Sequence, residues 1–195
     1  EAIRVVRYSP DLSMEGKTLA QIAAAWKVDA ADAYMRIVRE TQPQEGKPRP
    51  EEGVIVTSMS EDDVRWFLAQ PGIAFCTDGE LKGGHPRGAG SFPRILGYYV
   101  RQQRVLSLPA AIHKATQLPA GWLGLRDRGR IAPGYVADLV LFDPATVIDR
   151  STVQDPLAAP EGIPAVMVSG QWVVKEGKVT GALPGKVLRH FGPQS

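Results

Sequence analysis

The sequence predicts an α/β fold followed by a smaller β-rich portion. Up to residue 127, short β-branched runs alternate with segments whose apolar residues recur every three or four positions, an order typical of a parallel sheet with βαβ connections. After that residue the helical spacing stops, and short apolar runs follow one another between glycine-containing turns. We therefore divide the chain near Asp127 into residues 1–127 and residues 128–195.

The composition is that of an ordinary globular chain. Its 195 residues are 44% hydrophobic and 23% charged, with a formal net charge of +2. This charge is too small to favour nucleic acid, and no apolar run approaches the roughly 18 residues of a membrane span. The single cysteine, Cys76, excludes an internal disulfide and is expected to be a small core residue. We expect no nucleic-acid partner, no membrane partner and a cytoplasmic location.

The first 57 residues predict two strands separated by two helices. Residues 3–7 and residues 54–57 are β-branched runs typical of strands. Between them, Thr18 and Asp29 are N-cap residues, each followed by apolar side chains at helical spacing. Residues 41–52 contain three prolines and a glycine, so we expect an exposed loop there.

A helix, a strand and a loop are predicted next. Ser60 precedes three acidic residues that favour the positive end of a helix, and Pro71 ends that helix. Residues 73–77 are largely apolar and predict a strand that ends at Asp78. A glycine-rich loop follows, so the pattern places a carboxylate at the rim of an α/β fold beside a loop that can wrap a small molecule.

The remaining residues predict one more helical stretch and then the β-rich portion. Ser107 is the N-cap of a helix over residues 108–118, and a further helical turn lies around Trp122. Four short strands are predicted after it, with a hairpin turn at Gly170: residues 139–142, 166–169, 172–175 and 178–180.

A series of short motifs resembles one enzyme family. Thr77-Asp78-Gly79 is followed by His85-Pro86-Arg87 and by Gly90-Ser91-Phe92-Pro93-Arg94, as in the D-aminoacylases, the N-acyl-D-amino-acid deacylases of the amidohydrolase superfamily. Two later strings, GRIAPG at residues 129–134 and ADLVLFDP at residues 137–144, are shared by many amidohydrolases. The resemblance covers nearly the whole chain.

This resemblance implies the C-terminal portion of a (β/α)₈ metallo-dependent hydrolase barrel in residues 1–127 and a small β-sandwich in residues 128–195. It also implies a zinc-dependent enzyme that hydrolyses an N-acyl-D-amino acid to a carboxylate and a D-amino acid. On this mapping Asp78 ends the eighth barrel strand. Its carboxylate would take the proton of a zinc-bound water and pass it to the leaving amine.

The resemblance further implies two substrate-binding residues. Arg87 would bind the free carboxylate of the substrate, because a guanidinium matches a carboxylate through two parallel hydrogen bonds. His85 is a second candidate, although a histidine in this loop is more simply explained by hydrogen bonding to the backbone. Taken without the family, a surface turn is the better explanation of Asp78, and Arg87 fits a solvated loop arginine. Arg94 is expected to brace the helix rather than to contact substrate.

No metal site is predicted within the chain. His85, His113 and His190 are far apart in sequence and do not form the His-x-His pair that an amidohydrolase requires. We therefore expect the zinc ligands in an N-terminal barrel half that is missing from these residues. The expected macromolecular partner is that half or another copy of the chain, and we expect the isolated chain to be inactive.

Two other functions remain open from the sequence. The chain could belong to another amidohydrolase that acts on a cyclic amide, such as a hydantoinase or a dihydroorotase, because these enzymes share the strings of the β-rich portion. It could also be a non-catalytic β-rich interaction module. A substrate carboxylate clamp at Arg87 is expected only of the D-aminoacylase.

Overall fold

The computed structural model describes residues 2–79 and 84–188. Its α-helices are α1 (Leu19–Trp26), α2 (Ala30–Glu40), α3 (Glu61–Ala69), α4 (Arg87–Arg94), α5 (Leu108–Ala115) and α6 (Gln117–Trp122). Its strands are β1 (Ile3–Tyr8), β2 (Glu52–Val56), β3 (Leu139–Leu141), β4 (Ala165–Val168), β5 (Gln171–Lys175) and β6 (Lys178–Val179). A 3₁₀-helix spans Leu12–Met14 and a π-helix spans Ile95–Gln102.

Strands β1 and β2 form a two-stranded antiparallel sheet in which Val5 lies opposite Val54. The prediction of a parallel βαβ arrangement is therefore wrong for these strands. The reason lies in the connection, because α1 and α2 pack against each other and are joined by residues 27–29 alone. Residues 16–18 already fold back along β1, since the Val5 backbone N–H donates to the Lys17 carbonyl oxygen at 3.0 Å, so the connection to β2 is not the single crossover helix of a parallel pair.

The predicted N-caps of the first three helices are confirmed. Thr18 and Ser60 each form a capping box with the residue three positions later, and the Asp29 carboxylate accepts a hydrogen bond from the Asp32 backbone N–H at 2.8 Å. Each cap pairs backbone N–H groups that a helix start leaves without partners. These signals are local, which is why the sequence alone places the helix starts.

The apolar faces of β1, α1 and α2 meet in a first core. Its buried side chains are Val5, Tyr8, Met14, Leu19, Ile22, Ala23, Ala33 and Ile37. Tyr8 is fully buried, and its hydroxyl donates a hydrogen bond to the Glu40 carboxylate, which also accepts from Arg36 at 2.7 Å. Burial and the neighbouring Glu40 carboxylate raise the pKa of the Tyr8 hydroxyl, so it stays protonated.

The prediction of a strand over residues 73–77 is wrong. None of these residues belongs to a strand, and within residues 2–79 and 84–188 the only sheets are β1–β2 and β3–β6. The Phe75 backbone N–H instead donates to the Lys114 carbonyl oxygen of α5 at 2.9 Å. Phe75 joins a second core with Ile95, Tyr99 and Ala111.

Helix α4 continues directly into the π-helix, and Pro93 lies just before the change. Proline lacks the N–H that a regular helix needs and crowds the preceding turn, which favours a local change in helical winding. The Tyr99 side chain of the π-helix donates a hydrogen bond to Glu61 at the start of α3 at 3.1 Å. The two helices are thereby tied to one another.

The β-rich portion is a four-stranded antiparallel sheet in the order β3-β4-β5-β6. The predicted hairpin around Gly170 is confirmed as β4 paired with β5, and the predicted last strand is β6. The predicted helix over residues 108–118 is divided at Thr116 into α5 and α6. Pro119 explains this break, because its ring clashes with the carbonyl four residues earlier in a continuous helix.

Across residues 2–79 and 84–188, the helices are too short or too polar to cross a bilayer.

Candidate active site

Asp78 lies on a tight turn between the second core and α4. Its φ of +48° is in the left-handed region, which aspartate adopts more readily than bulkier residues do. The Thr77 hydroxyl oxygen accepts a hydrogen bond from the Gly79 backbone N–H at 2.7 Å and closes the turn. A non-glycine residue held in this region is an observation from which a functional role can be inferred.

Gly79 allows this turn to touch the start of α4. A Cβ atom at Gly79 would lie 2.3 Å from the Gly88 Cα atom and 2.5 Å from the Thr77 hydroxyl oxygen, distances that no side chain tolerates. Only glycine permits the two backbones to approach so closely. Asp78 and Arg87, the residues immediately before the two glycines, are brought together by this contact.

The Asp78 and Arg87 side chains form an ion pair. Arg87 Nη2 lies 2.8 Å from Asp78 Oδ2, although the two residues are nine positions apart in the sequence. The Asp78 side chain is 80% exposed and that of Arg87 is 42% exposed. Because solvent screens such a pair, it contributes only about 0.2–1 kcal/mol and can exchange for another partner at little cost.

His85 lies beside the pair and is half-buried. Its Nδ1 atom accepts a hydrogen bond from the Arg87 backbone N–H at 3.0 Å, which is the backbone contact considered above for this residue. Burial lowers the pKa of the imidazole, the Arg87 charge lowers it further, and Asp78 opposes the shift. A neutral ring with an unprotonated Nδ1 is the form that this hydrogen bond requires.

Asp78, His85 and Arg87 all line one open cleft of about 440 Å³. The antiparallel pair β1–β2 also lines this cleft and forms a wall of it, through residues 6–7 and residues 52–56. This wall was not predicted, because it depends on the direction in which β2 pairs with β1. The cleft is large enough for a small molecule and presents a carboxylate, an imidazole and a guanidinium at its rim.

Lys114 of α5 holds the segment that leads to Asp78, and this role was not predicted from the sequence. It is 3% exposed, and its ammonium group donates to the Leu68 and Gln70 carbonyl oxygens at 2.5 Å each. Its own carbonyl accepts the hydrogen bond from Phe75, three residues before Asp78. Burial lowers the pKa of Lys114. The sequence signal for the burial of Lys114 is that it shares one helix face with Ala111 and Ala115.

Of the remaining candidates, Cys76, His113 and Arg94 do not line the cleft. Cys76 is exposed, so the prediction of a core residue is wrong; no strand forms around it that would pack its side chain. His113 is exposed on α5, and Arg94 pairs with Asp149 at 3.4 Å. His190 lies outside the described residues.

The described residues do not form a metal site by themselves. Across residues 2–79 and 84–188, no three histidine, cysteine, aspartate or glutamate side chains are grouped closely enough to hold a metal ion. Structural and catalytic zinc sites use three or four such ligands. Among the described residues that line the cleft, Asp78 and Glu52 carry carboxylates, and Asp78 is the one that pairs with Arg87.

Comparison with known proteins relates the chain to one family. A sequence model described as the amidohydrolase family matches residues 25–174. An N-acyl-D-glutamate deacylase from Alcaligenes xylosoxydans xylosoxydans is 39% identical over 189 residues, which are 96% of this chain and 36% of that protein. The chain thus spans about a third of the length of the curated relatives it matches.

Two solved structures agree with the sequence comparison. A crystal structure of a D-aminoacylase has a TM-score of 0.80 and 36% identity, and the match covers 92% of this chain and 36% of that one. An N-acyl-D-glutamate deacylase from Bordetella bronchiseptica, solved with zinc and a phosphonate inhibitor, has a TM-score of 0.76 and 34% identity over 93% of this chain and 38% of that one. These likenesses confirm the resemblance to the D-aminoacylases and fit a metallo-dependent hydrolase fold. The chain belongs to the amidohydrolase family.

Proposed function

We propose that this chain is the C-terminal part of a zinc-dependent enzyme that hydrolyses N-acyl-D-amino acids to a carboxylate and a D-amino acid. The observation that carries the proposal is the meeting of Asp78 and Arg87 at 2.8 Å on the rim of one cleft. The names of the relatives, which include an N-acyl-D-glutamate deacylase and a D-aminoacylase, support the substrate class. We further propose that residues 1–127 belong to the barrel and residues 128–195 to the β-sandwich.

Arg87 has the chemistry to bind the free carboxylate of the substrate. In the structure its guanidinium already holds one carboxylate, that of Asp78, and this pair is weak because it is exposed. A substrate carboxylate that reaches Arg87 in the cleft makes charge-assisted hydrogen bonds worth about 1.5–3 kcal/mol. It therefore displaces Asp78 from the guanidinium and leaves the Asp78 carboxylate free for proton transfer.

Asp78 has the role of general acid and base in this proposal. Its carboxylate takes a proton from the attacking water and donates one to the nitrogen of the leaving D-amino acid, so its protonation state is restored at the end of each turnover. A positioned group of this kind contributes roughly 10² to 10⁴ in rate. His85 holds the Arg87 backbone in place through its Nδ1 atom and faces the same cleft.

Zinc would supply polarisation of the scissile carbonyl. The described residues do not hold the ion, so its ligands come from the N-terminal barrel half, which we propose as the partner of this chain. The crystal structure of the Bordetella bronchiseptica deacylase with zinc supports the choice of metal. The isolated chain is expected to bind no stoichiometric zinc and to be inactive.

A substrate panel tests the proposal in the full-length protein that contains these residues. The zinc-loaded protein is assayed with N-acetyl-D-glutamate, its L-enantiomer and a 5-substituted hydantoin. Turnover of the D-enantiomer alone is expected. Turnover of the hydantoin alone would instead assign a cyclic-amide hydrolase, and no turnover of any compound would favour a non-catalytic module. The isolated chain serves as the control, and metal analysis is expected to find no stoichiometric zinc in it.

A further inference from the structure

A segment of the β-rich portion lies along one face of α4 and the π-helix. We name residues 144–151 the bracing segment. The face consists of residues about one helical turn apart, and these are Gly90, Arg94, Gly97 and Arg101. Each of them contacts the bracing segment or would collide with it if it carried a larger side chain.

The segment runs antiparallel to the helices. At one end, Arg101 Nη1 donates to the carbonyl oxygens of Pro144 at 3.1 Å and Val147 at 2.6 Å. In the middle, Arg94 pairs with Asp149, whose side chain is only 13% exposed. These contacts fix the register of the segment, so that its other end, Ser151, arrives at the first turn of α4.

Two glycines permit the close approach. A Cβ atom at Gly97 would lie 2.3 Å from the Val147 carbonyl oxygen, and one at Gly90 would lie 2.3 Å from the Ser151 hydroxyl oxygen. Both distances are far shorter than ordinary contact. Neither glycine has a positive φ, so the requirement for glycine at these positions is steric.

Ser151 contacts the residue that precedes the arginine of the cleft. Its hydroxyl donates a hydrogen bond to the Pro86 carbonyl oxygen at 2.9 Å, in a partly buried setting. The same oxygen accepts the first hydrogen bond of α4, from the Gly90 backbone N–H at 2.9 Å. Pro86 is the N-cap of α4 and its ring has no N–H, so the carbonyl is the one strong backbone hydrogen-bonding group through which this residue can be held.

We propose that Ser151 is a positioning residue for substrate binding, which fixes the start of α4 and thereby the Arg87 guanidinium at the rim of the cleft. The part of this inference that concerns Arg87 and substrate rests on the proposed function above, whereas the part that concerns the start of α4 does not. Ser151 lies 64 residues from Arg87 in the sequence and belongs to the β-rich portion. That portion would then contribute to the active site without lining the cleft.

Amide hydrogen exchange tests the positioning itself. In the full-length protein, Ser151→Ala is expected to speed exchange of the Gly90 amide and its neighbours in α4 by about 2- to 10-fold, which corresponds to the net effect of one hydrogen bond. Thr180→Val is the matched control, because the Thr180 hydroxyl also donates to a backbone carbonyl, that of Trp172 at 2.7 Å, but within the distant β5–β6 hairpin. Unchanged exchange in Ser151→Ala would overturn the inference whether or not the protein is a deacylase.

Steady-state kinetics test the consequence for substrate. Ser151→Ala is expected to raise KM for an N-acyl-D-amino acid by about 2- to 10-fold and to leave kcat within about 2-fold, because Arg87 binds the substrate carboxylate whereas Asp78, free once substrate is bound, transfers the proton. In an Arg87→Met background the same substitution is expected to change KM no further, since the two residues act on one contact. Additive effects, or a loss confined to kcat, would contradict a role through Arg87.

A second pair of variants distinguishes loss of the Ser151 contact from general misfolding, because one substitution creates a steric clash and the other removes it. Gly90→Ala alone is expected to lower the thermal midpoint, because the new Cβ collides with the Ser151 hydroxyl. Gly90→Ala with Ser151→Ala removes that oxygen, and the nearest remaining atoms are Asp149 Cβ at 3.4 Å and Ser151 Cβ at 3.6 Å, which are ordinary contacts. The double variant should regain the thermal midpoint of Ser151→Ala and keep the fast Gly90 exchange. Faster exchange in a protein without deacylase turnover would support the contact to α4 and reject the proposed function.

Discussion

The contact between Gly79 and Gly88 holds the candidate active site together, so Gly79→Ala perturbs its geometry with a single methyl group. The new Cβ would lie 2.3 Å from Gly88 Cα, about 1 Å inside the 3.4 Å at which ordinary contact begins. Its closest neighbours include backbone atoms of α4, which cannot rotate away as a flexible side chain does. Overpacking of this kind costs about 1–3 kcal/mol.

The strain is expected to separate Asp78 from Arg87, because the turn and the start of α4 must move apart. We expect Gly79→Ala to lower the free energy of unfolding by about 1–3 kcal/mol in urea denaturation of the full-length protein. Its kcat/KM for an N-acyl-D-amino acid is expected to fall by at least about 10-fold, since a displacement near 1 Å in a catalytic site has large effects on rate.

Gly72→Ala is the matched control for this prediction. Gly72 has no heavy atom within 4 Å of the added Cβ and no positive φ. Alanine there is expected to be neutral or to stabilise by up to about 1 kcal/mol, because it reduces the freedom of the unfolded chain. Equal stability and activity in Gly79→Ala and Gly72→Ala would refute the argument that the Gly79–Gly88 contact sets the site.

Substitutions of Arg87, His85 and Ser60 each remove one contact with a measurable consequence. Arg87→Lys should raise KM for an N-acyl-D-amino acid by about 10- to 100-fold with little change in kcat, because lysine cannot make the paired hydrogen bonds of a guanidinium; an unchanged KM in steady-state assays would exclude the carboxylate clamp. Because the pKa of His85 is lowered in the folded protein, the unfolded protein binds the proton more readily, and stability should fall as the pH drops below 6.5. Urea midpoints measured between about pH 7 and pH 5 should show a smaller fall in His85→Gln, and identical pH dependence in the two proteins would reject this contribution. Ser60→Ala should destabilise the protein by about 0.5–2 kcal/mol through loss of the α3 capping box, whereas Ser58→Ala, which alters no cap, should have little effect in the same denaturation experiment.

Local chemistry was predictable from the sequence. The caps at Thr18, Asp29, Ser60 and Ser107 each depend on residues within three positions, and the structure has all of them. The hairpin at Gly170 is equally local. The motifs that contain Asp78 and Arg87 indicated the family, and the comparisons confirm it.

Tertiary arrangement was not predictable to the same degree. The direction of β2 depends on the path of the chain between β1 and β2. The β-branched run of residues 54–57 predicts a strand but does not indicate its direction. The extent to which Cys76 and Lys114 are buried depends on which elements surround them, so an apolar cysteine is exposed and a charged lysine is buried. Ser151 and Pro86 are in contact although they are 65 positions apart in the sequence. The only sign of this contact in the sequence is Gly90, a glycine within a helix.

In the proposed mechanism, Asp78 transfers protons during hydrolysis of an N-acyl-D-amino acid. The most direct measurement is kcat of the zinc-loaded full-length protein and of its Asp78→Asn variant on the same D-substrate. Asparagine keeps the size of the side chain but cannot exchange a proton, so kcat is expected to fall by about 10² to 10⁴ with an unchanged far-UV spectrum. A folded Asp78→Asn protein with kcat within about 2-fold of the unsubstituted enzyme would exclude proton transfer by Asp78.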